Sequence, residues 1–128
     1  MMSDEFLNGS SLICFMEKEI AEASWKERIL FFIGRRRGFL VEGNSMLPTL
    51  KNGDVVLINP KAKVEQGDIA LASHPYKKSV KILKRVKEFT ENGDLFLIGD
   101  NAEESTDSRT FGAVPLKCLI GKVSCRLK

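Results

Sequence analysis

The sequence contains few of the residues that build disulfide frameworks and metal centres. Its cysteines are Cys14, Cys118 and Cys125, an odd number, and no two of them have Cys-x-x-Cys spacing. A disulfide framework and a zinc site are therefore not expected, and the pattern favours small apolar side chains in a reducing compartment. The only histidine, His74, precedes a proline, so we expect a loop residue rather than the base of a Ser-His-Asp triad.

Long hydrophobic runs are also missing. The longest run covers residues 29–33, whereas a membrane-spanning helix needs about 20 residues. The first residues are acidic where a secretory signal is basic, so we expect a cytoplasmic chain without a transmembrane segment. Arg35, Arg36 and Arg37 follow the run, and two interpretations stay open. Residues 29–37 make weak contact with an anionic membrane surface, or they are a solvated charge run after a packed helix end.

What is present is the composition of one soluble globular domain. Hydrophobic residues make up 43% and charged residues 29% of the 128 residues, which excludes the disordered, collagen-like and membrane-embedded classes. The formal net charge of +3 is too small to argue for a nucleic-acid partner. A chain of this length has no room for a second full core.

The first part of the chain has the periodicity of a helix. Apolar residues recur there at spacings of three and four, at Leu12, Met16, Ile20 and Ala23. Residues 1–37 are therefore predicted to form an N-terminal helical extension, with Gly34 as a candidate helix end.

Downstream of residue 37 the pattern changes to short apolar runs separated by turn residues. Strands are predicted near residues 55–58, 69–71, 80–89, 95–98 and 119–123. The dipeptide Asn92-Gly93 predicts a hairpin between the third and fourth long runs. The expected fold class is mainly β, a small antiparallel sheet or barrel-like core with an N-terminal helical segment.

The predicted strand over residues 80–89 places one lysine among apolar side chains. Alternate residues of a strand share a face, so Lys84 lies between Ile82 and Val86, and Arg85 lies on the opposite, more polar face. Removing an ammonium group from water lowers its pKa, and a lysine with a pKa near 7 can act as a general base. The alternative is a long side chain whose amine reaches solvent at the strand edge.

A candidate nucleophile lies in residues 43–50, Gly-Asn-Ser-Met-Leu-Pro-Thr-Leu. Gly43 permits a sharp bend and Pro48 biases the preceding residue away from helix, so Ser45 can project from a turn. Backbone amides at such a turn can form an oxyanion hole. Because a serine must lose its proton to a nearby base to become a nucleophile, Lys84 is the candidate partner.

Three motifs follow one another along the chain: residues 43–50, Lys84-Arg85-Val86, and residues 99–109. The last of these, Gly-Asp-Asn-Ala-Glu-Glu-Ser-Thr-Asp-Ser-Arg, is followed by Phe-Gly-Ala-Val. In this order they resemble the nucleophile motif, the lysine-base strand and the last signature of the signal peptidase I family of serine proteases. The resemblance covers residues 39–123 and implies the all-β catalytic core of the signal peptidase I and LexA type over residues 38–128.

The resemblance implies a role for each matching residue. Ser45 would be the nucleophile, with its amide donating to the oxyanion, and Lys84 would be the general base. Ser105 would hydrogen-bond the lysine amine and orient it. Asp107 and Arg109 would pair and fix the loop over residues 99–109. The residues that shape the turn and the substrate groove would be Gly43, Met46 and Pro48. No metal and no cofactor is implied.

Residues 72–75 and 105–114 further resemble the small nickel-type superoxide dismutase maturation proteases within this family. That resemblance implies a serine endopeptidase that removes an N-terminal leader from the dismutase precursor, and nickel would belong to the substrate. Two departures from signal peptidases proper agree with a minimal member. We expect no membrane anchor, and Gly99 follows Lys84 too closely for a large second β domain. Gly43 stands where some members have a second oxyanion donor, so that donor stays open.

Three other functions are weighed against this one. The first is general signal peptidase I-type processing of secretory precursors at the membrane. The second is a self-cleaving regulator of the LexA or UmuD type, although no glycine upstream of Ser45 follows alanine or cysteine, as such cleavage sites often require. The third is a non-catalytic β-barrel that binds nucleic acid, which lacks interleaved aromatic residues among its basic ones.

Overall fold

The structure is a computed structural model that describes residues 19–127. The strands are β1 (Arg37–Leu40), β2 (Val55–Asn59), β3 (Ile69–Ser73), β4 (Lys81–Phe89), β5 (Leu95–Ile98) and β6 (Leu119–Arg126). The helices are α1 (Trp25–Phe32) and the single turn α2 (Ser108–Phe111), with 3₁₀ turns at Ala102–Glu104 and Leu116–Cys118. Each predicted strand is present, and β1 is an additional short strand that the sequence patterning missed.

All six strands form one antiparallel sheet in the order β1-β2-β6-β3-β4-β5. The register shifts between Leu57 and Ile58, between Leu71 and Ala72, and between Val86 and Glu88. Such bulges increase twist and bend the strands, and the sheet curls into a half-barrel. The predicted fold class, mainly β with a helix near the N-terminus, is confirmed.

The curled sheet has two hydrophobic clusters, and β4 contributes to both of them. Leu83 packs with the cluster that contains Met46 and Leu50, whereas Ile82 and Val86 pack with the cluster that contains Leu97. Residues 82–86 are consequently all buried.

The prediction of a more polar second face on β4 is therefore wrong for Arg85, which is fully buried. Both faces of β4 are covered, because Leu83 packs in one hydrophobic cluster whereas Ile82 and Val86 pack in the other.

The hairpin between β4 and β5 forms where Asn92-Gly93 predicts it. Gly93 has φ +85°, a left-handed conformation that glycine adopts without strain. The amide of Thr90 donates to the carbonyl of Asp94 at 2.8 Å and closes the turn.

The predicted N-terminal helix is wrong over residues 19–24, which are not helical. Glu22 pairs with Arg126 of β6 as an isolated bridge, and the amide of Ala23 donates to the carbonyl of Arg126 at 2.8 Å. Sheet pairing therefore overrides the helical spacing of Ile20 and Ala23. Leu12 and Met16 lie outside the described residues.

Helix α1 begins after Ser24, whose hydroxyl accepts from the Glu27 amide at 3.3 Å. It is followed by Gly34 with φ +83°, which agrees with the expected helix end. The division of the chain at residue 37 into an extension and a catalytic domain stays a prediction.

Candidate active site

Ser45, the candidate nucleophile, lies in the segment that joins β1 to β2. Residues 43–50 of this segment are called the nucleophile turn below. Gly43 has φ +84°, so the sharp bend there requires glycine. The Leu50 amide donates to the Met46 carbonyl at 2.9 Å, and both of these side chains are buried in the core. Two apolar anchors thus hold the turn in place while the partly exposed Ser45 side chain remains at the surface.

The structure brings Ser45 and Lys84 together. Lys84 Nζ lies 2.7 Å from Ser45 Oγ, and Lys84 is buried in the middle of β4. Burial lowers the pKa of Lys84 below its usual value, the Asp107 carboxylate opposes this shift, and the Arg109 guanidinium supports it. A lysine in this environment loses its proton more easily than one in water, as a general base must.

A buried carboxylate, Asp107, organises the loop beside this pair. It accepts hydrogen bonds from the Gly99 amide at 2.8 Å, from Ser105 Oγ at 2.7 Å and from Arg109 Nη2 at 2.5 Å. Burial alone raises the pKa of Asp107, but these bonds outweigh burial and hold the pKa well below its usual range. Asp107 is therefore a fixed negative charge that acts on Lys84.

Ser105 differs from the role that the resemblance implies. Its hydroxyl donates to Asp107 Oδ2, and among residues 19–127 no hydrogen bond joins it to Lys84. The carboxylate is the stronger acceptor, so Ser105 contacts the charge that acts on the lysine rather than the lysine itself.

Gly99 is a close-contact position whose function the sequence did not reveal. A Cβ at this residue would lie 2.2 Å from Ser105 Oγ and 2.7 Å from the Ser45 carbonyl oxygen. Only glycine lets the loop approach the nucleophile turn this closely. The motif Gly99-Asp100-Asn101 could have drawn attention to this glycine, but a motif does not show which residues the glycine approaches in the fold.

A second buried network was also missed, and it joins all three motifs. Arg85 donates to Asp100 through Nε at 2.8 Å and Nη2 at 2.7 Å, and to the Gly67 carbonyl at 2.7 Å. Thr49 Oγ1 donates to Asp100 Oδ2 at 2.5 Å. The nucleophile turn, the strand of Lys84 and the loop over residues 99–109 are thereby tied together.

The backbone around Ser45 includes an amide without an acceptor among the described residues. The Ser45 carbonyl accepts from the Asn101 amide at 2.8 Å, which fixes the orientation of the turn. Within residues 19–127 the Ser45 amide donates to no acceptor, whereas the Gly43 amide donates to Asn52 Oδ1 at 2.8 Å. The Ser45 amide is thus available to an incoming oxyanion, and the Gly43 amide is not.

Ser45 and Lys84 line a cleft of about 170 Å³. Its apolar lining comes from the end of β1, the nucleophile turn and β4: Phe39, Val41, Met46, Ile82 and Leu83. Glu42 and Lys81 add one charge of each sign. β5 pairs only with Arg85–Phe89 of β4, so among residues 19–127 no strand lies beside the edge of β4 at residues 81–83 on that side.

The remaining candidate residues lie elsewhere. Pro48 is exposed and lines a separate cavity of about 580 Å³ with Gly99 and Arg109. His74 packs its ring 4.7 Å from the ring of Phe111 and accepts from the Tyr76 amide at 3.1 Å. None of the helices among the described residues has the length and apolar character needed to span a membrane.

Comparison with known families matches most of the chain to a family of peptidases. The model of the Peptidase S24-like family matches residues 25–114, which include the Ser45 turn, Lys84 and the loop around Asp107.

Curated relatives are proteases named for a mitochondrial membrane. The chain is 32% identical to mitochondrial inner membrane protease subunit 1 of Xenopus tropicalis, with 69% of the chain and 66% of the relative covered. It is 32% identical to mitochondrial ATP-independent inner membrane protease subunit 1a of Arabidopsis thaliana, with 68% and 67% covered. The human subunit 1 is 28% identical, with 66% and 64% covered. The chain thus spans slightly less than two thirds of the length of the animal relatives.

Proposed function

Because the chain belongs to the Peptidase S24-like family, we propose that it is a serine endopeptidase with Ser45 as nucleophile and Lys84 as general base. The contact of 2.7 Å between Ser45 Oγ and Lys84 Nζ carries this proposal. Burial lowers the pKa of Lys84, which supports a neutral amine as the active form. The protease names of its relatives support the same class of reaction.

The reaction proceeds through an acyl-enzyme. Neutral Lys84 takes the hydroxyl proton of Ser45 while Oγ attacks the carbonyl carbon of the scissile peptide. The Ser45 amide donates to the resulting oxyanion. The tetrahedral intermediate collapses, the C–N bond breaks, and Lys84 returns the proton to the leaving amine. Lys84 then takes a proton from water, whose oxygen attacks the ester, and Ser45 regains its hydroxyl proton.

The substrate of this proposal is a precursor polypeptide with an N-terminal leader. The apolar cleft supports a small apolar side chain next to the scissile bond. The resemblance of residues 72–75 and 105–114 to nickel-type superoxide dismutase maturation proteases supports the precursor of that dismutase. Its leader must be removed before the new α-amine can ligate nickel.

A second candidate is the processing of secretory precursors at a membrane. One observation favours it: the outward face of helix α1 is apolar and exposed. The relatives are named as inner membrane proteases, which agrees with this second candidate.

Incubation of the purified chain with a nickel-type superoxide dismutase precursor tests the proposal by intact-mass measurement. We expect the precursor to lose the mass of its leader. Ser45→Ala and Lys84→Ala should each slow this cleavage at least about 100-fold, because each removes a reacting group. The matched controls Ser79→Ala and Lys87→Ala, both exposed, should cleave at the parent rate.

Each outcome tests a separate part of the proposal. Cleavage by Ser45→Ala at the parent rate would refute the nucleophile. Cleavage of a vesicle-bound secretory precursor but not of the dismutase precursor would retain the peptidase and replace its substrate. No cleavage of either would refute leader removal.

A further inference from the structure

Helix α1 exposes its large apolar side chains instead of packing them. Trp25 is 68% exposed, Ile29 48%, Phe32 85% and Ile33 61%. At 3.6 residues per turn these positions lie on one side of the helix and its C-terminal end. Isolated exposed apolar residues are ordinary on soluble proteins, but a continuous apolar face of this kind marks a binding surface.

Cations border this apolar face. Lys26 and Arg28 lie on either side of it around the helix axis, and Arg35 and Arg37 follow the helix. These four side chains are exposed, and none forms a salt bridge with a carboxylate of residues 19–127. An apolar stripe between cationic borders has the charge and polarity of a helix that lies in the surface of an anionic membrane.

The opposite face fixes α1 to the sheet, so the apolar face is held outward. Glu27 accepts from Arg36 Nε at 2.9 Å and from Ser124 Oγ of β6 at 2.8 Å. Phe31 packs over Gly38 of β1, where an added Cβ would lie 3.4 Å from its ring. The helix therefore cannot turn its apolar side chains inward without breaking these contacts.

We propose that α1 docks the protein on an anionic lipid surface, with Trp25, Ile29, Phe32 and Ile33 entering the interface. The four bordering cations then contact lipid phosphates while their stems cover apolar surface. The docking is independent of the proposed peptidase activity. β1 leads directly from this helix to Phe39 and Val41 of the cleft, so a docked protein holds its cleft near the membrane.

The sequence contains a built-in probe for this proposal, because Trp25 is its only tryptophan. Its fluorescence emission is measured while the full chain is titrated with vesicles of equimolar phosphatidylcholine and phosphatidylglycerol. We expect a shift to shorter wavelength together with co-sedimentation. Vesicles of phosphatidylcholine alone should give little of either, and added salt should weaken binding to the anionic vesicles.

Two paired variants separate the apolar and the charged contribution. Phe32→Ser with Ile33→Ser should weaken binding to anionic vesicles at least about tenfold, and Arg35→Gln with Arg37→Gln more than about tenfold. Tyr76→Ser is the matched control, since Tyr76 is 77% exposed on a different part of the surface. Circular dichroism verifies that each variant is folded.

The proposal is overturned if anionic vesicles at physiological salt leave the emission of Trp25 and the sedimentation unchanged. Equal binding to both kinds of vesicle, or equal loss in Tyr76→Ser, also overturns it. A concentration-dependent emission shift without lipid, together with a dimer in ultracentrifugation, would assign the face to a second copy of the chain instead.

Discussion

Two arginine–aspartate pairs have their aspartate in the loop that follows β5, and they differ in the exposure of the arginine. In the pair of Arg85 and Asp100 both side chains are buried, at 1% and 7% exposure. In the pair of Arg109 and Asp107 the aspartate is 1% exposed but the arginine is 43% exposed. The first pair joins three segments of the chain, whereas the second joins residues two positions apart.

The difference shows that one pair holds the segments of the site in position, whereas the other sets the electrostatic environment of Lys84. The buried pair fixes where the nucleophile turn lies relative to β4. The half-exposed pair acts on the pKa of Lys84, because Asp107 raises this pKa and Arg109 lowers it. Loss of the buried pair should therefore reduce stability most, and loss of the exposed arginine should mainly move a pH profile.

The largest effect is expected for Arg85→Met. Asp100 would remain buried without its bidentate partner, and breaking a buried ion pair in this way costs about 3–5 kcal/mol. The free energy of unfolding in urea measures the loss. Arg109→Met is the matched change at the half-exposed pair and should cost less than Arg85→Met, because Asp107 keeps its hydrogen bonds from the Gly99 amide and Ser105 Oγ.

A double variant keeps this prediction testable if Arg85→Met does not fold. Arg85→Met with Asp100→Leu removes both charges, so it should recover much of the lost stability. Equal stability losses in Arg85→Met and Arg109→Met would show that burial does not distinguish the two pairs.

Gly99 links the two pairs, and Gly99→Ala should give the next largest effect. Its amide donates to Asp107, and Asp100 follows it in the chain. The new Cβ would lie 2.2 Å from Ser105 Oγ and 2.7 Å from the Ser45 carbonyl, so the loop must move. A displacement of about 1 Å costs on the order of 100-fold in kcat/KM.

The control for this prediction is Gly38→Ala, whose new Cβ meets Phe31 at a tolerable 3.4 Å. It should keep most of the parent kcat/KM. Full activity in Gly99→Ala would show that the close approach of the loop to Ser45 is not needed for catalysis.

The strands of the sheet other than β1 could be predicted from local pattern, but their burial could not. Short β-branched runs and the Asn92-Gly93 turn are local signals, and the strands near them form as expected. The curl of the sheet depends on bulges and on pairs far apart in sequence. The alternation in β4 therefore placed Lys84 among apolar neighbours but could not show that Arg85 is buried as well.

Motif order predicted which residues gather at the site, but not every contact among them. Ser45, Lys84 and Asp107 come together, although they lie in three separate segments. Which acceptor the Ser105 hydroxyl contacts depends on the distances between side chains after folding, so its hydrogen bond to Asp107 could not be predicted. The absence of helix over residues 19–24 could not be predicted either, because it depends on pairing with the distant β6.

The smallest effect on stability, and the most specific one, is expected for Arg109→Gln. The rate should rise with pH as Lys84 loses its proton, with a midpoint below the usual lysine value of 10.5. Removing Arg109 takes away a positive charge that lowers this pKa and leaves Asp107, which raises it. The loss of the Arg109 charge leaves the effect of Asp107 unopposed by it and stabilises the protonated amine, so the midpoint should move to higher pH.

The pH profile of kcat/KM separates this charge effect from a structural one. Activity of Arg109→Gln at neutral pH should fall, while the limiting rate at high pH should stay close to that of the parent. Arg37→Gln, which removes an exposed cation that does not act on the pKa of Lys84, should leave the midpoint unchanged. A midpoint that stays in place or moves to lower pH in Arg109→Gln would contradict the role of this pair, because only the Asp107 charge, which raises the pKa of Lys84, remains after the substitution.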